Sequence, residues 1–193
     1  MEGRFMENTK DKIYQAAKEL IWKNGISKTN VADICEEAGV SNMTFYRKYE
    51  NKYELLKQII EENYNGFNRK YEEIFQKNLP FNEKIMELIF AHSELLKGIS
   101  KKYIDDIAHQ DNVELKEFIQ KKHMIYNESV LQLLKREQSK GNIRADVDIE
   151  FLNFFRNNII EMLFNPKLQK IYPDTEELII QLIKMFYFGA VKR

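Results

Sequence analysis

Apolar positions recur along the chain at three- and four-residue intervals with almost no strict alternation, a pattern that predicts helices and gives strands little support. Ile13, Ala16, Ala17, Leu20 and Ile21 form the first stripe, over about 8–23, and Gly25 stands just past its end. Val31, Ile34, Cys35 and Ala38 give a second helix its inward face over about 30–37, with Thr29 as the expected N-cap. Gly39 suits a sharp turn, and Ser41 then caps a third helix over about 41–47. In that helix Phe45 and the following Tyr49 return to the core, while Asn42, Met43, Thr44 and Arg47 are left outside.

A long fourth helix is expected over about 51–76, through Leu55, Leu56, Ile59, Ile60, Phe67, Tyr71, Ile74 and Phe75. Pro80 ends it. Amphipathic helices follow over about 82–98, 100–109 and 112–139, the last closed by Gly141. The final two, about 148–163 and 174–190, are separated by "NPKLQKIYPD" and carry apolar residues around more than one face. One face packs on the domain, and the surplus calls for a second copy of the chain. The expected fold class is therefore all-α with about nine helices: a three-helix N-terminal domain over 1–52 and a larger helical domain over 53–193.

Composition adds limits. Lys+Arg and Asp+Glu number 30 each, so net charge gives no argument for nucleic-acid binding, and any such reading rests on local placement. The single cysteine, Cys35, excludes an intramolecular disulfide and fits a reducing, cytoplasmic compartment. No apolar run is long enough to span a bilayer, and "MEGRFMENTKDK" lacks the apolar core of a secretory signal, so no membrane association is expected. No Gly-rich phosphate loop, nucleophile elbow or distinctive acid pair occurs, which leaves an enzymatic reading and a cofactor without support. His92, His109 and His123 lie on three different predicted helices without paired spacing, so no metal site is expected.

The corner "TNVADICEEAGVSNMTFYRKY", within about 30–49, has the spacing of a helix-turn-helix, whose second helix enters the major groove N-terminus first. Spacing alone also suits an ordinary corner of a helical bundle. In the DNA-reading case the outward residues of the third helix, Asn42, Met43, Thr44 and Arg47, suit base edges, Tyr46, Lys48 and Lys52 suit phosphates, and Thr29, Asn30 and Ser41 complete the expected DNA-binding residues.

The stretch "IYQAAKELIWKNGISKTNVADICEEAGVSNMTFYRKYENKYELL" resembles the DNA-binding domain of TetR-family transcriptional regulators. The residues that carry the likeness are Gly25, Thr29, Ile34, Ala38-Gly39-Val40-Ser41, Thr44, Phe45, Tyr46, Tyr49, Lys52 and Leu55. "GNIRADVDIEFL" and "LIKMFYFGAV" resemble the stretches that precede and close the family's dimerisation helices. Met43 departs from the family's usual glycine, and Lys48 from its common histidine.

The resemblance implies a homodimer on double-stranded operator DNA, joined through its last two helices as a four-helix bundle. It further implies a small apolar or amphipathic ligand among the middle helices and, for this chain, a repressor released by that ligand. The expected interface residues are Phe151, Phe155, Ile159, Met162, Ile179, Ile180, Ile183, Phe186 and Tyr187. Candidate pocket residues are Phe90, His92, Tyr103, His109, His123, Tyr126, Phe155 and Asn158. The alternatives are a related regulator with no small-molecule inducer, and an all-α interaction or ligand-binding protein that does not bind DNA.

Overall fold

The structure, a computed structural model, describes residues 8–163 and 165–190. The first seven residues of "MEGRFMENTKDK" and Val191 of the closing stretch lie outside the described residues. The described chain is helical without strands, in the order α1 (Thr9–Asn24), α2 (Val31–Ala38), α3 (Asn42–Tyr46), α4 (Lys52–Gln76), α5 (Phe81–Leu96), α6 (Lys101–Ala108), α7 (Val113–Ser139), α8 (Ile149–Asn157), α9 (Ile159–Leu163), α10 (Pro166–Ile171) and α11 (Thr175–Ala190). Two compact units emerge: Met1–Glu62 with Gly98–Ile119, and Asn63–Lys97 with Gln120–Arg193.

In the first unit, α1, α2, α3 and the start of α4 surround Ile13, Ala17, Ile21, Ile34, Phe45, Leu55, Leu56 and Ile59, all fully buried. Side-chain oxygens satisfy the leading N–H groups of the short helices: Asn8 caps α1, Asn30 caps α2 and Ser41 caps α3. At α4, Asn51 Oδ1 accepts from the Tyr53 and Glu54 amides at 2.8 and 3.0 Å.

The cap of α2 differs from the expected Thr29. Asn30 and Asp33 exchange side chain and backbone in a capping box, and the Thr29 hydroxyl instead donates to Gly25 O at 2.8 Å. Thr29 is 1% exposed. A β-branched residue one position too early serves the loop better, because its methyl can join the core.

This unit also includes α6, whose Asp106 accepts from the Ser27 amide at 2.9 Å and pairs with Lys102. Burial pushes the Asp106 carboxyl up, but hydrogen bonds from Lys102 and Ser27 outweigh it and hold the group below its ordinary value. Gly25 lies under this contact at φ +86°, ψ 168°, a region open essentially to glycine alone.

In the second unit α5 packs on α11, around Ile85, Leu88, Ile89, Leu178, Leu182 and Phe186. Glu137, 2% exposed, ties the end of α7 to the next turn by accepting from Lys140 and Asn142, both at 2.8 Å. The helix expected over 148–163 is interrupted at Asn158, whose Nδ2 donates to Phe154 O at 2.7 Å. An asparagine that bonds the preceding turn competes with continued winding, so α8 and α9 are separate. The linker "NPKLQKIYPD" contains α10, with Asn165 as cap and Pro166 in its first turn. These two features account for eleven helical segments among the described residues, against the expected nine or so.

Gly25→Ala should destabilise the protein more than Gly39→Ala. Gly39, at φ +65°, has open space where a methyl would stand, so only the left-handed conformation opposes the change, by about 1 kcal/mol. At Gly25 a methyl would also stand 2.6 Å from Asp106 Oδ2 and Lys102 Cγ, and a cost of about 2–3 kcal/mol is expected. Urea unfolding of the two variants measures the difference.

Candidate functional site

The turn between α2 and α3 is closed by backbone geometry. Gly39 adopts φ 65°, ψ 38°, and the Val40 amide donates to Cys35 O at 2.9 Å, which ends α2 and redirects the chain. Ser41 then accepts from the Thr44 amide at 3.2 Å and starts α3. Phe45 and Tyr49, buried with ring centroids 5.7 Å apart, fix the rotation of α3 about its axis. That rotation leaves Asn42, Met43, Tyr46, Arg47 and Lys48 exposed.

Two of the outward groups are pre-positioned. Thr44 Oγ1 lies 3.0 Å from Ser41 Oγ and accepts from Arg47 Nη2 at 3.2 Å, so the guanidinium is steered along the surface of α3 with most of its donors free. Tyr46 stands edge-on to Phe45 and is 57% exposed. Met43, at 75%, carries the most exposed large apolar side chain of the turn and helix.

Lys52 is held differently from the other basic residues. Its Nζ donates to Ile26 O at 3.0 Å and Thr29 O at 2.8 Å, which leaves one of its three protons uncommitted. Burial lowers its pKa, while Asp106 and Asp33 act in the other direction. Thr29 and Lys52 thus bind the loop before α2 to the start of α4. Of this pair only Lys52 retains a free donor, because the Thr29 side chain is enclosed.

In the second unit a cluster of rings draws together two of the candidate pocket residues, His92 and Tyr126. His92 lies 5.2 Å from Phe67 and 5.7 Å from Tyr71, centroid to centroid. Tyr126 approaches Tyr64, Phe67 and Tyr71 at 5.8–6.2 Å. Tyr71 and Tyr187 hydroxyls are 2.8 Å apart, and Arg156 reaches over the Tyr126 ring at 5.4 Å. His123, on the same helix as Tyr126, has its pKa lowered by burial and by Arg156.

The other candidates go elsewhere. Phe90 is 67% exposed on α5; Tyr103 is buried in the first unit; His109 is exposed there, against Asp105. Phe155 stacks on Phe186 with centroids 6.4 Å apart, and Asn158 bonds its own preceding turn. Tyr71, Tyr187 and Arg156 were not among the expected pocket residues. Tyr71 falls on an apolar stripe that reads as core, and an arginine within an apolar helix reads as solvated, so neither signals a site by itself.

Among the expected interface residues, Phe151 and Phe155 are exposed, and Ile159, Met162 and Ile180 are half-buried. Ile179, Ile183, Phe186 and Tyr187 are buried within the chain. The inward side of α11 runs through 178, 179, 182, 183, 186 and 187 at helical spacing, which turns Met185 and Phe188 outward. Phe154, 67% exposed, completes the outward apolar residues of α8.

His92 is buried and its Nδ1 meets Leu88 O at 2.8 Å, so that nitrogen carries the proton and Nε2 is left as an acceptor. Burial pushes its pKa down to about 4, against the Leu88 hydrogen bond and with help from Arg156. Above pH 6.5 the ring is neutral in both states. Between there and about 4 the unfolded chain takes up a proton that the folded one refuses, so stability falls as pH drops, by about 3 kcal/mol in total. Urea titrations at pH 7 and pH 4.5 should show that His92→Leu loses distinctly less stability over this range than the unsubstituted protein.

Residues 13–59 match the family described as "Bacterial regulatory proteins, tetR family". The chain is 28% identical to the fatty acid metabolism regulator protein of Bacillus subtilis over 139 residues, which is 71% of this chain and 72% of that protein. The fatty acid degradation regulator FadR of Bacillus halodurans has a similar fold over all of both chains, with a TM-score of 0.72 and 22% identity. FadR of Bacillus subtilis, solved in complex with stearoyl-CoA, has a TM-score of 0.67 at 24% identity over 92% of this chain and 97% of that one. The matched segment is the one in which Gly39, Ser41 and Phe45 set the turn and the rotation of α3, so this part of the chain matches the DNA-binding domain of TetR-family regulators, and the chain as a whole is similar in sequence and fold to regulators of that family.

Proposed function

We propose that the chain is a cytoplasmic, homodimeric repressor that binds operator DNA and leaves it when an amphipathic small molecule binds the second unit. The observation that carries the DNA-binding part is the surface of α3. Ser41, Thr44 and Arg47 are linked by hydrogen bonds, Asn42 and Met43 project beside them, and none of the five is needed for the core. Hydrogen-bonding groups at the N-terminal end of a short exposed helix suit base edges, and Arg47 suits guanine. Tyr46, Lys48 and the remaining Lys52 proton suit phosphates.

Dimerisation is supported by Phe151, Phe154 and Phe155 on α8 and Met185 and Phe188 on α11, large apolar side chains left exposed on one chain. A dimer must present its two α3 helices about 34 Å apart, one turn of the duplex. A ligand that alters that separation removes the advantage of binding two half-sites together. The helix α4 runs from Lys52 in the first unit to Gln76 in the second, and so offers a covalent route for such a change. The stearoyl-CoA bound by the Bacillus subtilis protein supports an apolar, chain-bearing class of ligand. No helix among the described residues is long and apolar enough to cross a membrane.

Fluorescence anisotropy with the DNA upstream of the protein's own gene tests the assignment. Arg47→Ala should weaken specific binding by about 1–3 kcal/mol, with a smaller loss on unrelated DNA. Equal losses on both would remove Arg47 from base reading, and no binding of the upstream DNA by the unsubstituted protein would refute the operator. For the dimer, Met185→Asp combined with Phe154→Asp should give a folded monomer in sedimentation, because both side chains already face outward. An unchanged dimer would put the interface elsewhere.

A further inference from the structure

The second unit holds a cation without a counter-charge. Arg156 is half-buried on α8, and its Nη2 donates to Oδ1 of Asn127, of Asn153 at 3.1 Å and of Asn157 at 2.8 Å. Its Nε is shielded from solvent and has no hydrogen-bond partner. Among the described residues no carboxylate pairs with it. Amide oxygens orient a guanidinium but do not neutralise it, and a solvent-shielded N–H without an acceptor is costly.

The charge sits among rings. Arg156 lies over Tyr126, whose hydroxyl is 3.5 Å from that of Tyr71, and Tyr71 in turn meets Tyr187 and His92. Its positive field helps push His92 and His123 down, and it opposes the burial that raises Tyr71, Tyr126 and Tyr187. All of these groups are neutral near pH 7, so nothing in the cluster balances the guanidinium.

We infer that the second unit takes an organic acid with an apolar body, its carboxylate paired with Arg156 and its body among Phe67, Tyr71 and Tyr126. The inference rests on the ligand-responsive reading above. A single negative charge balances a single positive one, and the planar carboxylate matches the guanidinium fork. A phosphate would bring a second charge that the three asparagine oxygens cannot offset. The ring faces leave little that would solvate a polar body.

Isothermal titration of the full chain at pH 7.5 without DNA tests this, with dodecanoate and benzoate as acids, dodecanol and benzyl alcohol as their neutral counterparts, and dodecanoyl-coenzyme A as an acyl chain whose charges lie on phosphates. At least one acid should bind tenfold or more tightly than its alcohol, and Arg156→Gln should abolish that preference. Arg156→Lys, which keeps the charge and loses the fork, should retain the preference with several-fold weaker binding; it decides the matter if the glutamine variant does not fold. No acid binding, alcohols as tight as acids, dodecanoyl-coenzyme A binding lost with Arg156→Gln as fully as that of the acids, or an acid preference that survives that substitution would each overturn the inference.

Anisotropy on operator DNA separates the two readings. An acid that binds through Arg156 without releasing DNA refutes the inducer and leaves the site. Release by dodecanol as readily as by dodecanoate refutes the site and leaves the inducer.

Discussion

The ammonium group of Lys52 is shared between the carbonyls of Ile26 and Thr29, and so joins the loop between α1 and α2 to the start of α4, on which the orientation of α3 depends. Ile26 and Thr29 are buried in the loop after α1, and their carbonyls need a donor there. A charged donor at the first residue of α4 answers that need. The loop positions Asn30, Asn30 starts α2, and Gly39 with Ser41 hands the direction of α2 to α3. Asp106 of α6 bonds the Ser27 amide in the same loop, so the anchor is held from two sides. A lysine in this position serves the fold with two of its three protons, which helps so small a domain to orient a five-residue helix.

The two units handle charge in different ways. Around α3 the exposed basic groups are few, and the chain as a whole is neutral, so recognition depends on placed donors rather than on a broad positive field. In the second unit one positive group is enclosed by amides and rings without an opposite charge. The first arrangement favours discrimination among sequences over sheer affinity.

Much of the first unit was legible in the sequence because its signals are local. Gly25 and Gly39 mark helix ends, Ser41 marks a start, and the spacing of Ile34, Phe45 and Tyr49 separates inside from outside. The cap of α2 was displaced by one residue because Thr29 and Asn30 both suit it, and only the tertiary demand for a buried methyl and a bond to Gly25 O distinguishes them. The second unit was less legible, since its determinants are distant in the chain. Tyr71 and Tyr187 meet across 116 positions, and Arg156 is drawn inward by asparagines on two helices. On α11 an apolar residue stands at nearly every angle, so the period alone could not tell that Phe186 packs inward and Met185 does not.

Met43 touches none of the bonds that shape the turn: Ser41, Thr44 and Arg47 close their network without its side chain, and Phe45 holds the rotation of α3 from the opposite side. Its side chain is exposed and is not part of the core, so substitutions there should carry little folding penalty. Such separation frees the side chain from the demands of folding. On the operator-binding reading proposed above, a change at this one codon could redirect the protein to a different promoter while the scaffold is inherited intact.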